Sequence, residues 1–145
     1  MKKCDLIPQD NPNYCLCSVL QGIFNENGLI VSQEYIASNL TPTEKGFRAD
    51  DTKIKDFMKN KGFDYQFYWW NTTPLNESDG LLKEISINNG FIGLGLHTYR
   101  VIDFKDPEIV TDNPEDSSKK LFNIYNLMRE FSKTDGGFGL IKKLK

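Results

Sequence analysis

A helical period is the first regularity along the chain. Leu16, Val19, Leu20, Ile23 and Phe24 fall at i, i+3, i+4, i+7 and i+8, which predicts an amphipathic helix opening at Cys15 with one buried stripe. Pro8 and Pro12 keep residues 1–14 extended, since proline lacks the amide hydrogen a helix needs and restricts the residue before it. Gly28 is a natural stop. Ser32 is placed to cap a short second helix carrying Ile36, Ala37 and Leu40, ended by Thr41-Pro42. Residues 43–50 read as loop, and Asp50 or Asp51 can cap a third helix with Ile54, Phe57 and Met58 on one face and Gly62 beyond its end.

The period then drops to two. Phe63, Tyr65, Phe67 and Trp69 alternate with their neighbours and predict a strand over 63–70. The aromatic run is first of all core and sheet surface; its second face, Gln66, Tyr68 and Trp70, is large for an exposed strand and leaves open a peptide groove or a partner surface. Residues 71–80 are turn-rich, and Leu81 to Asn88 predict a helix closed by Gly90. Phe91 to Phe104 is a long β-like stretch in which Gly93 and Gly95 predict a bend or bulge just before His97. A turn at 105–107, a short strand at 108–111 and a last helix over 116–132 follow, the helix with Leu121, Ile124, Tyr125 and Met128 inward. Asp135-Gly136-Gly137 turns into a closing strand, Phe138 to Leu144. Helices come first and strands mainly after, which predicts an α+β fold rather than alternating α/β. No repeat or low-complexity linker divides the chain, so residues 1–145 read as one domain.

Composition narrows the classes. A 39% hydrophobic fraction with ten phenylalanines supplies a core, and a formal charge of −2 without a basic block argues against nucleic acid as partner. No apolar run approaches the length of a membrane span, and the start Met1-Lys2-Lys3-Cys4-Asp5 is positive but lacks the apolar stretch of a signal peptide. The chain reads as soluble and cytosolic, although export by a specialised secretion machine would leave no trace in it. Three cysteines cannot all pair, and Cys-x-Cys on one helix is poor disulfide geometry, so free thiols in a reducing compartment are expected.

Chemistry concentrates on four residues. Cys15 falls in the first turn of its helix, where free N–H groups and the positive end of the dipole favour a thiolate. His97 is the only histidine and thus the only imidazole able to pair with it. Asn113, sixteen positions on and just before Pro114, can accept a hydrogen bond from the other ring nitrogen and fix tautomer and orientation. Gln9, six positions ahead of Cys15, can set its side-chain amide beside the Cys15 backbone N–H to hold a developing oxyanion. This set suits acyl transfer to a thiol, followed by hydrolysis or by transfer to another nucleophile. It needs no cofactor.

Gln-x₅-Cys at a helix start, a later His on a strand and an Asn before Pro about sixteen residues on resemble the papain-like cysteine peptidase superfamily. The short length, the Ser-Gln-Glu-Tyr-Ile-Ala segment after the first helix and the Asn113-Pro114 pair are most similar to the bacteriocin-processing, double-glycine-leader peptidases. The resemblance covers roughly residues 6–115 and implies a papain-like fold, a peptide or protein substrate, Gln9 as oxyanion donor, Cys15 as nucleophile, His97 as base and Asn113 as orienter. Departures are visible. Tyr14-Cys15-Leu16 stands where the family often has Asp-Cys-Gly, Thr98-Tyr99-Arg100 follows His97 in place of an aromatic or valine run, and Asn113 replaces Asp.

Blander readings stand beside this one. Cys17 lies roughly 200° around the helix from Cys15, next to Leu20 and Phe24, and is expected in the core, while Gly22 lies on the Cys15 side and leaves room for substrate or a neighbouring loop. Cys4, Cys15, Cys17 and His97 spell a zinc set only with splayed thiols. A catalytically inactive module that binds a peptide or protein, or a thioester-forming acyltransferase, uses the same scaffold. The hydrolase reading requires His97 to reach the sulfur of Cys15, and that sulfur to face solvent.

Overall fold

The computed structural model describes residue 3 and residues 5–40, 51–95 and 97–144. Its elements are α1 (Cys15–Glu26), α2 (Gln33–Leu40), α3 (Asp51–Asn60), β1 (Phe63–Trp69), α4 (Leu75–Ile87), β2 (Asn89–Leu94), β3 (His97–Lys105), β4 (Glu108–Asp112), β5 (Lys119–Asn123), α5 (Ile124–Thr134) and β6 (Gly136–Lys143), with a short 3₁₀ turn at Trp70–Thr72. The strands form one antiparallel sheet in the order β1-β6-β2-β3-β4-β5. Helices α1, α2 and α3 cover one face through Phe24, Ile36, Phe57 and Met58 against Phe63, Tyr65, Phe91 and Ile141. Helices α4 and α5 cover the other through Leu82, Ile85, Leu127 and Phe131 against Ile92, Val101 and Phe138. This is the expected α+β arrangement, with helices leading and strands following.

Local chemistry sets several boundaries. The Tyr35 N–H donates to Ser32 Oγ at 3.0 Å, the expected cap of α2. Asp51 is the first residue of α3, where its carboxylate faces the positive end of the helix dipole. The loop expected over 43–50, the Thr41-Pro42 stop, Asp50 and Cys4 lie outside the described residues.

Three expectations are corrected. Helix α1 is buried on all sides from Cys15 to Phe24, not along one stripe, because the lead-in segment and α2 close over its polar side. Ser18 Oγ donates to the Ile7 carbonyl at 2.6 Å, and the amides of Gln21 and Gln33 meet at 2.9 Å. A Cβ on Gly22 would come within 2.6 Å of Leu6, so the gap there is filled by the lead-in. The second face of β1 is sheet and core surface, as expected: Tyr68 and Trp70 are half-buried against the α4–α5 core, the Trp70 indole donates to Asp135 Oδ1 at 3.0 Å, and Gln66 and Tyr68 line an open groove with Leu81 and Glu84. Helix α4 starts at Leu75 within the turn-rich stretch, and Gly90 sits in β2, where a Cβ would lie 2.2 Å from the Gly139 carbonyl. Gly90 therefore serves close strand approach rather than a helix stop. Finally, the last helix begins eight residues later than expected, at Ile124. Lys119–Asn123 pairs with β4 instead, leaving Leu121 and Tyr125 63% and 57% exposed while Ile124, Leu127 and Phe131 turn inward. Leu121 and Tyr125 imitate a helical spacing that sheet pairing overrides.

Candidate active site

Cys15 is the first residue of α1, and the residue before it, Tyr14, provides no side-chain cap. The sulfur thus sits in the first turn of the helix, at the positive end of its dipole. His97 is the first residue of β3, just past the hairpin that pairs Leu94 with His97. Three residues along the strand, Arg100 is fully buried and forks onto Glu26 in the last turn of α1, at 2.9 and 2.6 Å, with a third bond of 2.8 Å to Asn89 Oδ1. This bidentate pair fastens the helix that carries Cys15 to the strand that carries His97. The charge of Arg100, a departure from the usual run after the histidine, is thus consumed inside the fold.

The imidazole of His97 interacts electrostatically with Cys15, and its Nε2 lies 2.9 Å from Asn113 Oδ1. Nε2 being taken, Nδ1 is the nitrogen left for the sulfur. The Glu115 backbone N–H donates to the same Asn113 oxygen at 3.1 Å, which fixes the amide as acceptor and makes Nε2–H the donor. The Asn113 loop is held in turn by Asn113 N–H on the Ser118 carbonyl at 2.8 Å and Ser117 N–H on the Asn113 carbonyl at 2.7 Å. Asp112, fully buried beside it, is paired with Lys119, which also reaches Asp5 on the lead-in at 2.7 Å.

Electrostatics follow from this contact. Burial by itself pushes the Cys15 thiol up, but the hydrogen bond from His97, those from the Thr98 side chain and backbone, and the imidazolium charge bring it below its ordinary value. Burial pushes His97 down, and the bonds to Cys15 and Asn113, with the charges of Cys15 and Glu115, carry it above its ordinary value. Both directions favour thiolate and imidazolium together. Cys17, wholly buried as expected of a core thiol, is pushed up to about 12 by burial and by the neighbouring Cys15.

Gln9 sits on the lead-in between these parts. Its backbone N–H donates to the Pro114 carbonyl at 2.7 Å, which ties it to the Asn113 loop. Its side-chain amide donates to the Asn11 and Pro12 carbonyls at 3.1 and 3.2 Å, folded onto its own turn. Gln33, 1% exposed on α2, grips the backbone around it: its amide nitrogen donates to the Pro8 carbonyl at 3.0 Å, and its oxygen accepts the Asp10 N–H at 2.8 Å. Gln33 and Thr98 were not expected as site residues. A polar residue whose partners lie far along the chain leaves no periodic signal.

One requirement of the hydrolase reading is not met in this conformation. Cys15 is 1% exposed. A cleft walled by Leu16, Ile54, Phe67 and Trp69 runs up to His97 and Thr98, so the first face of β1 lines it, not the second. Cys15 itself is not among the residues that line it. Among the described residues no three metal-binding side chains come together, and no helix is long and apolar enough to cross a membrane.

A cysteine heads the first of three helices, set against an antiparallel sheet whose hairpin strand begins with the histidine, and this α+β arrangement is shared by peptidase domains of known structure. Two solved structures share this fold over nearly their full lengths. One is the peptidase domain of Streptococcus ComA, a bifunctional ABC transporter of a quorum-sensing pathway, with a TM-score of 0.68, 17% identity, and coverage of 97% of this chain and 98% of that one. The other is a double-glycine-motif protease from an AMS/PCAT transporter, solved with its leader peptide, with a TM-score of 0.68, 15% identity, and coverage of 98% and 94%. At these identities the likeness is one of fold. No protein-family model matches the chain, and no sequence among the curated proteins does.

Proposed function

We propose that this chain is a thiol hydrolase that cleaves a peptide bond through Cys15, His97, Asn113 and Gln9. The observations that support it most are His97 Nε2 at 2.9 Å from Asn113 Oδ1 and the interaction of the imidazole with Cys15, which lowers the thiol and raises the imidazole. In this reading the Cys15 thiolate attacks the scissile carbonyl carbon, and the electron pair of the C=O moves onto oxygen. The Cys15 N–H and the Gln9 amide hold that oxyanion, each such donor being worth about 10²–10³ in rate. His97 then gives its Nδ1 proton to the leaving amine and the C–N bond breaks, leaving a thioester. Water, deprotonated by His97, attacks the thioester; the C–S bond breaks and the thiolate returns. Asn113 keeps the ring in register throughout.

The apolar cleft beside His97 suits a peptide with apolar side chains, and the similar protease solved with a leader peptide makes a leader peptide bearing a double-glycine motif the first substrate to test. Two steps must precede catalysis. The Leu16–His97–Thr98 wall must open for a carbonyl to reach the sulfur, and the Gln9 amide must turn an N–H from its own loop toward the oxyanion.

Those two requirements also favour a second reading, a peptide-binding module that does not cut. Incubation with leader peptides and mass spectrometry of the products separates the two. Cleavage that Cys15→Ala and His97→Ala abolish and Cys17→Ala retains supports the hydrolase. Saturable binding with intact peptide supports the module and sinks the hydrolase.

A further inference from the structure

We propose that Thr98 is a second partner of the nucleophile, its hydroxyl donating to the Cys15 sulfur so that the thiolate stays poised while His97 is engaged in moving a proton; this rests on the thiol reading of the site. Thr98 follows His97 in β3 and pairs with Gly93 of β2, which has no side chain to crowd it. Its side chain faces α1 and is 5% exposed, with Oγ1 3.7 Å from Cys15 Sγ. A hydroxyl has one hydrogen to give, and a buried one needs a partner. Toward a thiolate it donates; toward a thiol it can accept. The Thr98 backbone acts on the thiol in the same direction as its hydroxyl, lowering it. The titratable groups around the pair are Cys17 on α1, His97 and Tyr99 on β3 and Glu115 after β4. Of these only His97 donates to the sulfur, and in the proposed reaction it must turn to the leaving amine and later to water. Thr98 has no such second duty. It stabilises the sulfur when the imidazole is away, and again when the thiolate departs from the thioester.

The test is the rate of iodoacetamide alkylation of Cys15, followed by peptide mapping from about pH 4 to about pH 9, in the full chain. Thr98→Val keeps the shape and removes the donor. It is expected to move the acid midpoint upward, so that alkylation below the midpoint slows by about three- to tenfold. Thr98→Ser, which restores the hydroxyl, is expected to recover most of the wild-type profile. If Thr98→Val is poorly folded by circular dichroism, Thr98→Ala provides the same comparison in less space. Superimposed profiles for the wild type and the folded hydroxyl-free variant overturn the role of Thr98 and leave the thiolate reading intact. A wild-type Cys15 whose alkylation follows the pH profile of an ordinary thiol removes the thiolate reading itself.

Discussion

At the residue scale the site turns on one shared proton. Cys15 lies below its ordinary value and His97 above, so the thiolate–imidazolium pair fills the interval between them. Activity should be bell-shaped. It rises as Cys15 loses its proton, at a pH below the ordinary thiol range, and falls as His97 loses its proton, at a pH above the ordinary imidazole range. Both limbs belong to the pair rather than to either group alone. Asn113 accepts from His97 and supports its charged form, so Asn113→Ala should draw the alkaline limb of kcat/KM back toward about 6.5. A limb that stays in place would show that the amide does not act on the imidazole. Chemistry at this scale was legible because it uses scarce residues: one histidine, and a cysteine at the head of a periodic helix. Thr98 was visible only as a departure from a pattern, and its contact crosses 83 positions of chain.

At the element scale, the packing of α1 on β3 decides whether Cys15 and His97 meet. Arg100 and Glu26 lie 74 positions apart and close that packing through a buried, bidentate pair. Removing one partner strands the other charge away from water, at a cost of about 3–5 kcal/mol. Arg100→Met should therefore lower unfolding free energy by about 3 kcal/mol, the lower end, because the Glu26 side chain keeps 14% exposure. Denaturant titration checks this, and an unchanged midpoint would remove the pair from the account. Elements with strong local signals were readable: the α1 repeat, the Ser32 cap, the alternation in β1 and the strand start at His97. Those fixed by distant partners were not. Lys119–Asn123 became a strand because β4 offers it a ladder, and Gly90 serves the sheet because Gly139 passes so close. Gln33, facing Pro8 and Asp10 across more than twenty residues, has no sequence signature of the grip it exerts on the Gln9 segment.

At the scale of the whole molecule, two helical layers enclose the sheet, and the reacting residues gather at one end of the first layer. The lead-in crosses that end and is bonded to Ser18 on α1, Gln33 on α2 and Pro114, next to Asn113. Cys15 is buried in this packing, so in the proposed reaction a substrate must displace part of it before the sulfur is reached. The most direct measurement mixes the full chain with a leader peptide bearing a double-glycine motif, quenches with acid within the first turnovers and reads the intact protein mass. The account predicts a thioester adduct of the N-terminal product on Cys15, absent from Cys15→Ala. Cleavage with the adduct on another residue, or a peptide bound and uncut beside an unmodified Cys15, would contradict it.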